Sequence, residues 1–245
     1  MSLPATATDR LHQDASALCH VIEAIHQRGW CDGTGGNFSS VLCQEPLALL
    51  MAPSGVDKGC LRPADLIVVD GEGQVICGEG KASAETLLHL TIIAATNAGA
   101  VLHTHSQAAT LLSRLSFLRG EAKLLTSEDF TAAAKGLPLE TALLGHLRLS
   151  DLEMLKGLEG IRSHATPVAI PILINSQDMR QLSDAARPHL PEAPYGLLIA
   201  GHGLYAWGDS LSQAHRHLEI LEFLLEQHWR QLLLEASLLK NGPSR

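Results

Sequence analysis

Two histidines separated by one residue, in Ala100-Val101-Leu102-His103-Thr104-His105-Ser106, are the side chains here whose type and spacing point most directly to chemistry. The small and β-branched residues around them predict a strand, on which His103 and His105 face the same way. Two neutral imidazoles held like that make half of a site for a zinc-like ion. In a chain with 13 histidines, a polar strand end with two incidental ones is the plain alternative. His202 sits between Gly201 and Gly203 where an apolar run ends. As a third nitrogen ligand it would leave one position open for substrate or water, the arrangement of a catalytic zinc. Taken alone, His202 reads better as a histidine hydrogen-bonded within a turn.

A second set of residues suits an anion. Gly35-Gly36-Asn37 and Ser54-Gly55 offer backbone N–H groups with amide and hydroxyl donors, a combination that fits a phosphate. Ser83, expected at a helix amino end, adds a hydroxyl and the positive end of the helix dipole, and Lys58 adds charge. The glycine spacing is not that of a dinucleotide fingerprint. Two carboxylates, Glu85 and Glu153, could move protons beside a metal-bound sugar phosphate, or could be solvated helix residues. His89, one turn after Glu85, reads as structural.

These residues need a scaffold, and the pattern supplies one. Leu11, Ala15, Leu18, Ile22 and Ile25 recur at three- and four-residue steps and predict an amphipathic helix from about Asp9 to Arg28, stopped by Gly29. Phe38–Leu42, Leu47–Ala52, Leu66–Asp70 and Gln74–Cys77 predict short strands joined by tight turns, an antiparallel meander. Ser83 is the expected cap of a helix to about Ala98. The histidine strand and a helix from Gln107 to about Leu118 follow. Helical fragments are expected at Asp129–Lys135 and Leu139–Leu144, and a short helix at Asp151–Leu158. Val168–Ile174 is a strand in which Pro171 favours an edge or a bulge. A helix over Gln177–His189, strands at Gly196–Ala200 and Leu204–Trp207, and a long helix to about Leu238 complete the chain. The economical reading is an α/β fold, one domain over residues 1–245 with a core from about 9 to 238 and a sheet flanked by helices.

Composition narrows the function. With 245 residues, 46% hydrophobic and 18% charged, the chain can bury a sizeable core. A formal net charge of −8 with no basic stripe argues against nucleic-acid binding. The five cysteines, all in the first third, lack disulfide or zinc-site spacing and suit a reducing cytoplasm. No apolar stretch is long enough to span a bilayer, and no signal pattern opens the sequence.

Gly35-Gly36-Asn37, Pro53-Ser54-Gly55, Ser83-Ala84-Glu85, His103-Thr104-His105 and His202-Gly203, in that order, resemble the class II aldolase/adducin family. The resemblance runs from Gly29-Trp30 to Trp207-Gly208. It implies a largely antiparallel central sheet between helical layers, and a homotetramer with active sites near subunit interfaces. It assigns one zinc per subunit to His103, His105 and His202, and the substrate phosphate to Gly36, Asn37, Ser54, Gly55 and Ser83. Glu153-Met154 with Lys156 and Gly203-Leu204-Tyr205-Ala206-Trp207-Gly208 resemble the dehydratases of the family. They imply dehydration of a phosphorylated ketose, 5-methylthioribulose 1-phosphate in methionine salvage, with Glu153 as acid/base. Retro-aldol cleavage led by Glu85, and a non-catalytic module like the adducin head, are the alternatives. The segment from about 119 to 148 is longer than in the dehydratases, which makes Glu128 and Asp129 fallback candidates for the acid/base.

Overall fold

The computed structural model describes residues 5–116, 123–134 and 142–240. In chain order its regular elements are α1 (Ala5–Gln27), β1 (Asn37–Gln44), β2 (Leu47–Met51), β3 (Ile67–Asp70), β4 (Val75–Cys77), α2 (Thr86–Thr96) and β5 (Ala100–Thr104). Then come α3 (Gln107–Leu112), β6 (Leu115–Ser116), β7 (Lys123–Leu124), α4 (Ser127–Ala134), β8 (Leu143–Leu149) and β9 (Val168–Leu173). The last are α5 (Met179–Ala186), β10 (Gly196–Ile199), β11 (Gly203–Gly208) and α6 (Leu211–Lys240).

Nine strands form one sheet in the order β4-β3-β2-β1-β5-β11-β10-β9-β8. Every neighbouring pair is antiparallel except β9 and β10, which run parallel. The expected meander is β1 to β4. Alternation along each strand divides the core between the two faces. Leu50, Leu102, Leu204 and Ala206 pack with Leu18, Ile22 and Ile25 of α1, with α3, and with Leu218 and Leu221 of α6. Leu49, Val101, Tyr205 and Trp207 pack on the other face with Leu88 and Ile92 of α2 and Leu182 of α5. β5 is the fifth of the nine strands and is buried throughout, so the histidine pair starts from the middle of the sheet. Among the described residues no helix is long and apolar enough to cross a membrane.

Several elements differ from the expectation. α2 begins at Thr86, and Ser83 instead opens the turn before it, its carbonyl accepting from Thr86 N at 3.1 Å. Asn97, in the left-handed conformation, ends that helix before Gly99 is reached. The helix expected from Gln107 stops at Leu112, and Leu115–Ser116 pairs with Lys123–Leu124 in a two-stranded ribbon. Leu143 and Leu144 open β8, an edge strand rather than the end of a helical fragment. Its apolar residues fit a half-covered strand as well as a helix, and pairing with β9 decides between them. β9 is second from the edge. Pro171 stands in register with His146, and the irregularity lies on β8, between Leu143 and Gly145.

Candidate metal centre and active site

The register of three strands assembles the centre. Asn37 on β1 pairs with His103 on β5, and His103 pairs with Tyr205 on β11, so the three side chains form one row across the sheet. Glu85, at the amino end of α2, lies over that row. Its Oε2 accepts from Asn37 Nδ2 at 2.5 Å and from the Tyr205 hydroxyl at 2.8 Å, and stands 3.4 Å from His103 Nε2. The Tyr205 ring stacks on His103 with centroids 3.9 Å apart. His105 lies just beyond the strand, where its N–H donates to the Trp30 carbonyl at 2.8 Å. His202 occupies the β10–β11 turn, fixed from α3 by the Thr110 hydroxyl on its carbonyl at 3.1 Å. Two glycines allow this packing. A Cβ on Gly203 would overlap the Thr104 carbonyl oxygen, and one on Gly36, at φ +79°, would meet the His103 carbonyl oxygen at 2.8 Å.

The three Nε2 atoms converge, His103 lying 2.8 Å from His105 and 3.3 Å from His202. One ligand atom from each histidine and one from Glu85 all fall within 4.8 Å of one another. His103 Nδ1 is 2.9 Å from the Leu204 carbonyl, to which it donates in the neutral tautomer, leaving Nε2 as a bare lone pair. Burial pushes the His103 pKa well down, against the opposing charge of Glu85, so the ring is neutral and ready to bind a cation. Burial also lowers His105, and the charge of His202 lowers it further. Burial would raise the Glu85 carboxyl, but the hydrogen bond of His202, the electrostatic pull of the His103 and His202 rings, and the Tyr205 hydroxyl together hold it below the usual carboxylate range. Lone pairs and a carboxylate gathered this tightly repel one another unless a cation lies among them. The donor set therefore fits a divalent metal ion.

The sequence-derived candidates separate into groups. His103, His105, His202 and Glu85 meet. Glu153 does not meet them within the chain. It lies in a 3-10 turn, Glu153–Gly157, its side chain 72% exposed and paired with Lys156. Glu128 is exposed on α4, and Asp129 is engaged locally with Thr126 N at 2.7 Å and Lys123 at 3.4 Å. Among the phosphate candidates, Asn37 gives an N–H to Glu85. Lys58 is buried and donates to the carbonyls of Thr34 at 3.3 Å and Val56 at 3.1 Å, tying the two glycine-bearing loops together. Gly36 packs behind His103. Ser54 and Gly55 remain exposed beside the Lys81 segment, and the Ser83 hydroxyl accepts from Glu85 N at 3.2 Å. His89, read from the sequence as structural, is buried and lies 2.7 Å from Ser39 Oγ, with burial lowering its pKa to about 4.

Tyr205 escaped the sequence reading. Its signal is a polar-tipped aromatic in an apolar strand, two residues from Gly203 and on the face opposite Leu204. Asn37 was noticed, but the partner it finds could not be read from turn chemistry.

The model of the Class II Aldolase and Adducin N-terminal domain matches residues 16–229. The methylthioribulose-1-phosphate dehydratase of Sorangium cellulosum is 35% identical over 230 residues, 92% of this chain and 96% of that protein. The protein of the same name from Xanthomonas campestris pv. campestris is 39% identical over 236 residues, 96% of each. Among solved structures, l-fuculose-1-phosphate aldolase from Thermus thermophilus superposes with a TM-score of 0.63 and 25% identity, over 96% of this chain and 99% of that one. The ordered motifs, the layered sheet and these matches agree, and the chain belongs to the class II aldolase and adducin N-terminal domain family.

Proposed function

We propose that this chain is a zinc-dependent hydro-lyase that dehydrates 5-methylthioribulose 1-phosphate to 2,3-diketo-5-methylthiopentyl 1-phosphate in methionine salvage. The observation that carries this reading is nearly end-to-end identity of 35% and 39% with proteins named for that dehydration. The complete set of three histidines and Glu85 supports it. His103, His105 and His202 would hold the zinc. Zinc bound there supplies Lewis-acid polarisation of a substrate carbonyl, which acidifies the neighbouring C–H.

The remaining work falls to side chains. Glu85 has its oxygens engaged by Asn37, Tyr205 and His202, so it holds the ligand set rather than shuttling protons. Glu153 has no such commitment beyond Lys156, whose hydrogen bond and charge lower its pKa and keep it ionised as a base. It takes the C3 proton and delivers a proton to the C4 hydroxyl as that group leaves as water, and the resulting enol becomes the second ketone. Ser54, Gly55 and Ser83 hold the phosphate, with Lys58 ordering the loop beneath them. Because Glu153 is exposed and apart from the histidines of its own chain, it serves the site of a neighbouring copy in a homotetramer. Exposed Leu233, Leu234, Leu238 and Leu239 on α6 support such assembly. The cytoplasm is the compartment that suits this chemistry and the unpaired cysteines.

The test is mass spectrometry of the products when zinc-loaded protein meets methylthioribulose 1-phosphate. Loss of one water without fragmentation is expected. Cleavage into smaller carbon fragments would establish the second reading, retro-aldol chemistry, which the position of Glu85 at the histidines favours. Unchanged substrate with zinc bound would overturn the substrate assignment. Unchanged substrate with no zinc bound would point to a non-catalytic module.

A further inference from the structure

Thr104 ends β5 and Ser106 caps α3 just beyond it; each follows one of the two histidines, and both side chains meet α6. There they meet Glu222, which is 2% exposed on α6, between the buried Leu218, Leu221 and Leu225 on one side and Glu219 and Glu226 on the other. Glu222 Oε1 accepts from the Thr104 hydroxyl, and Oε2 accepts from the Ser106 hydroxyl at 2.5 Å. The Ser106 oxygen also caps α3, accepting from Ala109 N at 3.1 Å. No cation pairs with Glu222 among the described residues, and the neighbouring charge acting on it, that of Glu226, repels it.

A buried carboxyl with no cation costs stability that leucine in its place would not. What the carboxyl provides is a bridge between residues 104 and 106. That span is the same two-residue interval that sets the separation of His103 and His105. We infer that Glu222 is a positioning residue for the metal centre, clamping the His103–Ser106 segment from the face of the sheet opposite the ligands. The inference rests on reading the histidine cluster as a metal site. Partners of this kind orient ligands without touching the ion.

The experiment measures zinc affinity of the full-length chain by competition with a chromogenic chelator, together with the visible spectrum of the cobalt-substituted protein. Unfolding of the metal-free proteins is followed in parallel. Glu222→Ala should weaken zinc about 10- to 100-fold and alter the cobalt spectrum, since that is the usual effect of removing a partner of a ligand set. Glu222→Gln, which keeps one acceptor, should recover part of that loss. Thr104→Val, which keeps the strand's shape and removes one hydroxyl, should weaken zinc less than Glu222→Ala and should add little to Glu222→Gln. If Glu222→Ala does not fold, Glu222→Gln and Thr104→Val carry the test. Wild-type zinc affinity and cobalt spectrum in these variants, with or without lower stability, would overturn the proposal and leave Glu222 a structural residue. A wild-type chain that takes up no metal would overturn both the proposal and the metal reading beneath it.

Discussion

Glu85, its side chain 17% exposed, and Glu222, 2% exposed, are carboxyls set against opposite faces of one strand, and their environments push them in opposite directions. Burial raises both. At Glu85 it is outweighed by the hydrogen bond of His202, the electrostatic pull of the His103 and His202 rings, and the Tyr205 hydroxyl, so the group stays ionised. At Glu222 two hydroxyls are the only compensation among the described residues and Glu226 adds to the rise, so burial pushes the pKa up to about 7. Burial opposes ionisation at both, and the donors and charges around Glu85 are what outweigh it there. One face of β5 thus carries a charge built to meet a cation, and the other carries a carboxyl close to neutrality.

The sharpest way to break this contrast is His103→Ala. It should abolish stoichiometric zinc in elemental analysis and reduce turnover to background. Retained zinc would mean that the Glu85 face is no metal site. Next in size is the separation of the two catalytic candidates. Glu153→Gln should cut kcat about 10²- to 10⁴-fold while zinc stays bound, as expected for loss of a proton-transfer group. Glu85→Gln should weaken zinc as well, and a Glu85→Gln enzyme with full zinc and little turnover would transfer the acid/base role to Glu85. Tyr205→Phe removes one donor from Glu85, leaving the stacked ring in place. A hydrogen bond to a charged acceptor is worth about 1.5–3 kcal/mol, so kcat/KM should fall about tenfold or more. Zinc affinity measured on the same variant is the check, because a Glu85 with one donor fewer should hold the ligand set less firmly.

The last test is read on stability rather than on turnover, and it addresses the Glu222 face alone. A carboxyl whose folded pKa is raised above its unfolded value gives stability at low pH that is lost as pH climbs toward the folded pKa. Between an ordinary carboxylate pKa of 4.5 and about 7, wild type should therefore lose ground to Glu222→Gln. The relative shift is about 3 kcal/mol. Urea unfolding of the metal-free proteins at pH 4.5 and pH 8 measures it, and a constant difference between the two would show that Glu222 does not titrate in this window.

Much of the architecture was legible because it is written in local periodicity. The three- and four-residue spacing of Leu18, Ile22 and Ile25 predicts α1, and the turn glycines between short apolar runs predict β1 to β4. The histidine strand was legible for the same reason. Where two local patterns compete the reading went astray: Leu143 and Leu144 suit a helix or a strand, and only pairing with β9 selects the strand. Ser83 looked like a helix cap because serine accepts N–H bonds at helix starts, yet it caps the turn before Glu85 instead.

By itself, then, the sequence determined most of the elements, their order and the alternation that sends His103 one way and Thr104 the other. These depend on backbone geometry and side-chain period, properties of a few consecutive residues. Tertiary structure decided which distant residues share a site. Register across β1, β5 and β11 put Asn37 and Tyr205 in the row with His103, and the packing of α2 set Glu85 above it. The docking of α6 brought Glu222 beneath Thr104 and Ser106, more than a hundred residues away in the chain. The same packing left Glu153 on the surface. Contacts of that range depend on how whole faces of helices and strands fit together, and no short window of sequence contains that information.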